Sequence, residues 1–200
     1  MWFGASEGGN GEAIVKGRDF VMYVKTQRLV LKPFDEKDKD LAIRMFVNDQ
    51  IKQTYMLPDF DSREAAEKLF YRLQELSLTE GRFVVGVYLT AGVDSAGLNI
   101  SEDRLIGFMN DVEIEGDEIE LGYVIDPQYH NQGYATEALQ GMMEELFARG
   151  FKQVVTGAFD TNLPSIRVME KCGMARLQKE DDVEYRGKVH RCVYYSAGKY

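Results

Sequence analysis

His130-Asn131-Gln132-Gly133-Tyr134-Ala135-Thr136-Glu137-Ala138-Leu139 is a turn that opens directly into a helix, immediately after an apolar strand pattern. Upstream, Leu121-Gly122-Tyr123-Val124-Ile125 reads as a strand stopped by Asp126-Pro127, because proline cannot continue a ladder and Asp-Pro begins turns. Downstream, Leu139, Met142, Met143, Leu146 and Phe147 recur at helical spacing, and Gly150 supplies the C-terminal stop. The first N–H groups of such a helix lack partners and all point one way, with the positive end of the dipole behind them, so the terminus attracts anions. Gly133 has no Cβ to hold a bulky pyrophosphate away from the backbone. The spacing is neither that of a P-loop nor that of the three-glycine dinucleotide fingerprint, so an anion here would be held mostly by main chain. A helix that starts at glycine and binds nothing is the competing reading, and other positions have to decide.

A second cluster follows the strand-like Val154-Val155-Thr156-Gly157-Ala158-Phe159: Asp160-Thr161-Asn162-Leu163-Pro164-Ser165-Ile166-Arg167-Val168-Met169-Glu170-Lys171-Cys172-Gly173-Met174. Together the two clusters resemble the GCN5-related N-acetyltransferases (GNAT), in particular the branch that acetylates ribosomal-protein N-termini and its small-molecule relatives. The first is similar to the family's acetyl-CoA pyrophosphate loop, with His130, Gly133 and Ala135 at its marked places. The second is similar to the family's Asn-x-x-Ser-x-x-Val-x-Glu-Lys-x-Gly segment, carried by Asn162, Ser165, Val168, Glu170, Lys171 and Gly173. The resemblance runs from about Thr26 to Tyr195. It implies an α/β fold with a mixed, mostly antiparallel sheet, splayed central parallel strands and flanking helices. It also implies acetyl-CoA as cosubstrate, bound by Val124, Ile125, the loop residues His130, Asn131, Gln132, Gly133, Tyr134, Ala135 and Thr136, and by Asn162 and Ser165.

Composition agrees with one enzyme-sized domain: 200 residues, 44% hydrophobic, suffice for a sizeable core. No apolar run approaches the roughly 20 residues that cross a bilayer, and the N-terminus lacks a signal-peptide pattern, so no membrane partner and a cytoplasmic protein are expected. Two cysteines and two histidines leave neither a disulfide framework nor a four-ligand zinc site, and no metal is expected; Cys172 and Cys192 read as buried packing residues. The net charge of −9 argues against nucleic acid, whose binding needs clustered Lys and Arg, and favours a cationic acceptor, although excess acid is more often a solubility feature.

Along the chain, residues 1–21 read as a flexible extension or expression remnant, with Met22 a candidate natural start, and 22–200 as a single catalytic domain. Leu29-Val30-Leu31 is a strand, Asp35 caps a helix carrying Leu41, Ala42, Met45 and Phe46, and Ser62 caps a second through Ala66, Leu69, Phe70, Leu73 and Leu76. The resemblance puts the acceptor pocket there, with Tyr55, Met56, Phe60 and Tyr71 as candidate contacts against a plain core role. Strands are expected over Arg82 to Leu89 and Arg104 to Glu113, separated by a long stretch from Ala91 to Asp103. A central strand then runs from Glu118 to Ile125, and a last hairpin has arms Met174 to Tyr185 and Lys188 to Tyr195, turning at Arg186-Gly187. The hairpin's edge leaves a homodimer open.

The chemistry implied is direct attack of a neutral amine, from a protein N-terminus or a small amine, on the thioester carbonyl. Glu120, on the central strand before the loop, is the candidate general base, with Glu118 two residues away as runner-up; a solvated strand position is the alternative. An oxyanion donor is expected from the Val124 or Ile125 N–H. Two positions depart from the family. Met169 stands where a tyrosine often donates a proton to the leaving thiolate, which leaves Ser165 or solvent for that task. His130 replaces Gln or Arg, where its backbone N–H would be the main contributor. Asn162 and Ser165 read equally as helix caps beside Pro164. The rival functions are a non-catalytic acyl-CoA-binding or sensory module, for which Met169 speaks, and a structural protein whose turn binds nothing.

Overall fold

The computed structural model describes residues 21–93 and 99–198; the expected N-terminal extension lies almost wholly outside the described residues. Strands β1 (Val24–Lys25) and β2 (Leu29–Lys32) open the domain. Asp35 caps a single 3-10 turn, Glu36–Asp38, before α1 (Lys39–Phe46) begins, and the two acids form a capping box in which the Asp35 N–H donates to Asp38 Oδ2 at 2.8 Å. The short α2 (Asp49–Lys52) follows, then α3 (Arg63–Ser77), whose Ser62 hydroxyl accepts from the Ala65 N–H. Next come β3 (Val85–Leu89), the small two-stranded ladder β4 (Gly92–Val93) and β5 (Asn99–Ile100), β6 (Arg104–Glu115) and β7 (Glu118–Ile125). The chain ends with α4 (Tyr134–Arg149), β8 (Gln153–Phe159), α5 (Leu163–Lys171), β9 (Ala175–Tyr185) and β10 (Lys188–Gly198).

One eight-stranded sheet runs in the order β1-β2-β3-β6-β7-β8-β10-β9, and every neighbouring pair is antiparallel except β7 and β8. This is the mixed sheet that the sequence predicts, with the central parallel pair that the family resemblance implies. Alternation divides the faces. Ile119, Leu121 and Ile125 of β7, with Val154 and Ala158 of β8, pack under Leu139, Met142 and Leu146 of α4. On the other face Val124, Phe108 and Tyr88 pack against Phe46, Phe70 and Leu73 of α1 and α3. Each such buried side chain contributes about 1.5–3 kcal/mol, so the helices are pinned to the sheet by the same apolar period that makes them helical. At the far edge, positive φ at Arg186 and Gly187 turns β9 into β10.

Candidate active site

The parallel ladder between β7 and β8 pairs Glu118 with Gln153, Ile119 with Val154, Glu120 with Val155 and Leu121 with Thr156, and there it stops. Both strands continue, β7 to Ile125 and β8 to Phe159, without pairing to each other, so the sheet opens into a V. A cleft of about 430 Å3 occupies that opening, within the range of small-molecule sites. The start of α4 closes one end, the face of α5 a second, and the segment from Gln50 to Met56 a third.

Several expected residues meet in this cleft. Val124, Ile125, His130, Asn131, Gly133, Tyr134, Ala135, Thr136, Asn162 and Ser165 all line it, whereas Gln132 and Glu120 do not. Of the anticipated acceptor contacts Tyr55 and Met56 line it; Phe60 instead packs against the α1–α3 core, and Tyr71 is an exposed residue of α3 bonded to Glu36 and Lys39. The loop is held open by left-handed backbone at Asn131 (φ 60°) and Gly133 (φ 82°), the latter standing as the N-cap of α4 without any side-chain cap. The hydrogen bonds correct one expectation, for His130, and choose between the two alternatives of another. The His130 N–H donates to the Pro127 carbonyl at 3.2 Å and is spent within the turn, while the imidazole Nε2 meets the Ile125 carbonyl at 2.8 Å. The Asp126 N–H donates to the Ile106 carbonyl on β6, and because amides alternate along a strand the Val124 N–H also faces β6; Ile125 is the residue whose amide faces the opening.

The charge of the lining is at odds with the chain as a whole. The protein carries 33 Asp and Glu against 24 Lys and Arg, yet among the described residues that line the cleft there is no carboxylate, whereas Arg167 and Lys171, both on α5, are there. With the α4 N-terminus facing them across the gap, the cleft suits a polyanion.

Residues 28–175 match the model of the acetyltransferase (GNAT) domain. The chain belongs to the GNAT acetyltransferases. It is 30% identical over 157 residues to the uncharacterized N-acetyltransferase YnaD of Bacillus subtilis strain 168, covering 78% of this chain and 84% of that protein. In fold it is similar to a GNAT-family acetyltransferase from Bacillus anthracis, at 23% identity and a TM-score of 0.71 over 88% of this chain and 98% of that one. It is likewise similar to RimL, a ribosomal L7/L12 alpha-N-protein acetyltransferase solved in complex with coenzyme A, at 18% identity and a TM-score of 0.70 over 88% of this chain and 98% of that one.

For a GNAT enzyme the proton-handling groups matter most. Glu120 is 8% exposed, on the sheet face shared with Gly122 and Val124. Burial pushes its carboxyl up to about 7; Lys179 opposes this, while Glu113, Glu118 and Asp181 add to it. On the opposite face, the Tyr123 hydroxyl lies 2.6 Å from Ser165 Oγ and 3.2 Å from the Ser165 carbonyl, and burial raises its pKa above the ordinary phenol value. Asn162 Oδ1 accepts the Ser165 N–H at 3.3 Å, the capping geometry that the sequence offers as one of its two roles. Met169 is fully buried in the core, away from any proton transfer. Cys192 lines the cleft, but burial, with the carboxylates of Asp181 and Glu120 adding to it, pushes its thiol up to about 11, so it is not a thiolate nucleophile at neutral pH. Cys172 is half-buried, with its sulfur 3.6 Å from the Thr136 carbonyl.

Tyr123 and Arg167 are cleft residues that the sequence did not single out as functional, and Lys171 entered only as part of the family segment, with no role assigned. For Arg167 and Lys171 a signal was present, since four residues apart on one short helix places them on the same side. For Tyr123 there was none, because its importance comes from a residue 42 positions away. Among the described residues no group of three or more His, Cys, Asp or Glu could hold a metal ion, and no helix is long and apolar enough to cross a membrane.

Proposed function

We propose that the protein transfers the acetyl group of acetyl-CoA to a primary amine by direct attack within a ternary complex. The observation that carries this reading is the carboxylate-free, Arg167- and Lys171-bearing cleft at the start of α4 in an otherwise acidic protein. The amides at the start of α4 hold the pyrophosphate, and Arg167 and Lys171 add charge along the phosphate-bearing part of the ligand. The Ile125 N–H donates to the thioester oxygen as negative charge develops there. Glu120 takes the proton lost by the attacking ammonium through an intervening water, since it does not itself line the cleft. As the C–N bond forms and the C–S bond breaks, Ser165 gives its hydroxyl proton to the thiolate, the Tyr123 hydroxyl behind it donates to Ser165 Oγ in turn, and the second proton that the nitrogen sheds returns through water to this pair, which ends neutral. The protonated Cys192 argues for direct transfer over an acyl-enzyme.

The acceptor approaches from the end formed by Gln50, Thr54, Tyr55 and Met56, an uncharged wall compatible with a small amine or with a protein N-terminus, the acceptor that RimL's name gives for that enzyme. A thermal-shift titration with acetyl-CoA and CoA, with ATP as control, tests the donor half. A ligand at about 100 times its dissociation constant stabilises by roughly 2.7 kcal/mol, and this is expected for both CoA species and not for ATP. Release of free thiol with an amine panel tests transfer; binding without turnover on any amine would leave an acyl-CoA-binding module.

A further inference from the structure

Behind the loop, outside the cleft, the β1–β2 turn is built onto the first two turns of α4. Thr26 Oγ1 donates to Glu137 Oε1 at 2.6 Å, the Arg28 N–H donates to the same oxygen at 2.7 Å, and Arg28 Nε donates to Oε2 at 2.7 Å. The same guanidinium sends Nη1 to the backbone carbonyl of Gln132 at 2.9 Å, and lies 4.5 Å over the Tyr134 ring. Gly141 provides the seat, since a Cβ there would stand 2.7 Å from the Thr26 methyl.

This arrangement acts on the loop in two ways. In a trans peptide the C=O and the next N–H point in opposite directions. With the Gln132 carbonyl drawn back to Arg28, the Gly133 N–H is turned the other way, and Gly133 lines the cleft. The second effect is electrostatic. Glu137 in the first turn of α4 suits the helix dipole but would repel a polyanion bound there. Burial pushes its carboxyl up, but the Thr26 hydroxyl, the Arg28 N–H and the Arg28 guanidinium together outweigh this and hold it below the usual range. It is therefore an anion at neutral pH, and Arg28 cancels it.

We infer that Arg28, itself anchored by Glu137, is a positioning residue that aims the Gly133 amide at the acetyl-CoA pyrophosphate and neutralises the carboxylate in the first turn of that helix. This rests on reading the loop as the pyrophosphate site. The test compares the full-length wild type with Arg28→Met and Arg28→Lys, using CoA affinity by calorimetry and steady-state kinetics in acetyl-CoA. For Arg28→Met the CoA dissociation constant and the acetyl-CoA KM should rise about tenfold, the scale of one lost charge-assisted contact, with kcat at saturating acetyl-CoA within about twofold. A purely structural residue would lower the melting temperature and leave KM unmoved. Arg28→Lys should not rescue, because one ammonium cannot reach Glu137 in the Nε geometry and the Gln132 carbonyl together. Should Arg28→Met fail to fold, Arg28→Lys decides alone, with an affinity for CoA weaker by about threefold or more expected. CoA affinity unchanged in whichever variant folds, or kcat falling while KM holds, overturns the role of Arg28. Failure of the wild type to bind CoA would instead overturn the reading of the loop.

Discussion

Glu120, the proposed base, couples stability to pH at the scale of one residue. Its folded carboxyl, near 7, sits above the ordinary value of 4.5, so the folded state holds a proton that the unfolded chain releases. Stability contributed by this group is therefore lost as pH rises from about 4.5 to about 7, and above that its ionised form costs of order 3 kcal/mol. Glu120→Gln should be more stable than the wild type at pH 8, with the difference vanishing near pH 4, as melting temperatures across that range would read out. The same substitution should remove the rise in kcat/KM with pH through about 7 and lower the rate about 10²-fold or more. Full activity in the Glu120→Gln variant would exclude Glu120 as the base. Ser165→Ala and Tyr123→Phe form a second residue-scale test. If the two hydroxyls act in sequence, the double variant should lose little more activity than Ser165→Ala alone, because groups that work as a unit are not additive.

At the scale of elements, the site depends on where two strands part and where one helix starts. The opening between β7 and β8 has β6 pressed close on its other side: a Cβ at Gly107 would lie 2.2 Å from the Val124 carbonyl oxygen, a contact no side-chain rotation relieves. Gly107→Ala should therefore push β6 from β7 at the level of Ile125 and destabilise by about 3 kcal/mol or more, with denaturant unfolding as the measure. Gly133→Ala is a milder case, since little lies within reach of an added Cβ beyond Arg28 Nη2 at 3.4 Å. There the cost is the left-handed backbone, about 1–2 kcal/mol for a non-glycine residue. If the loop relaxes to avoid it, the acetyl-CoA KM should rise more than kcat falls. Gly122 sets the opposite wall, because its bare backbone admits the Tyr55 hydroxyl, which donates to Asn110 Oδ1 at 2.5 Å.

At the scale of the whole molecule, a protein of net charge −9 gathers its few cleft charges as cations. The proposed donor must cross a field that repels it and then enter a cleft that attracts it. Added salt screens both over about 10 Å at 0.1 M. Arg167→Ala with Lys171→Ala should raise the acetyl-CoA KM about tenfold or more and flatten its remaining salt dependence, whereas the KM for a neutral acceptor should barely move. Equal salt dependence in the double variant and the wild type would place the phosphates elsewhere.

Much of this architecture is legible in the chain alone. Leu139, Met142, Met143 and Leu146 at helical spacing, the stop at Gly150, the strand Glu118 to Ile125 and the turn at Arg186-Gly187 are all local patterns, and local patterns are what propensity, period and turn chemistry encode. The order of the two clusters carried the family for the same reason. What tertiary structure alone decided are relations between distant residues: that Ile125 rather than Val124 turns its amide to the opening, that Glu120 stays out of the cleft lining, that Tyr123 meets Ser165, and that Arg28 reaches back to the Gln132 carbonyl. None of these has a period or a spacing, because each depends on strand register and on packing across the sheet. The sequence by itself determined the main helices and strands, though not the short β1, α2 or the β4–β5 ladder, and that one helix start could take an anion; only the folded sheet, ending its parallel ladder at Leu121 and Thr156, decided that there is a cleft for that anion to enter.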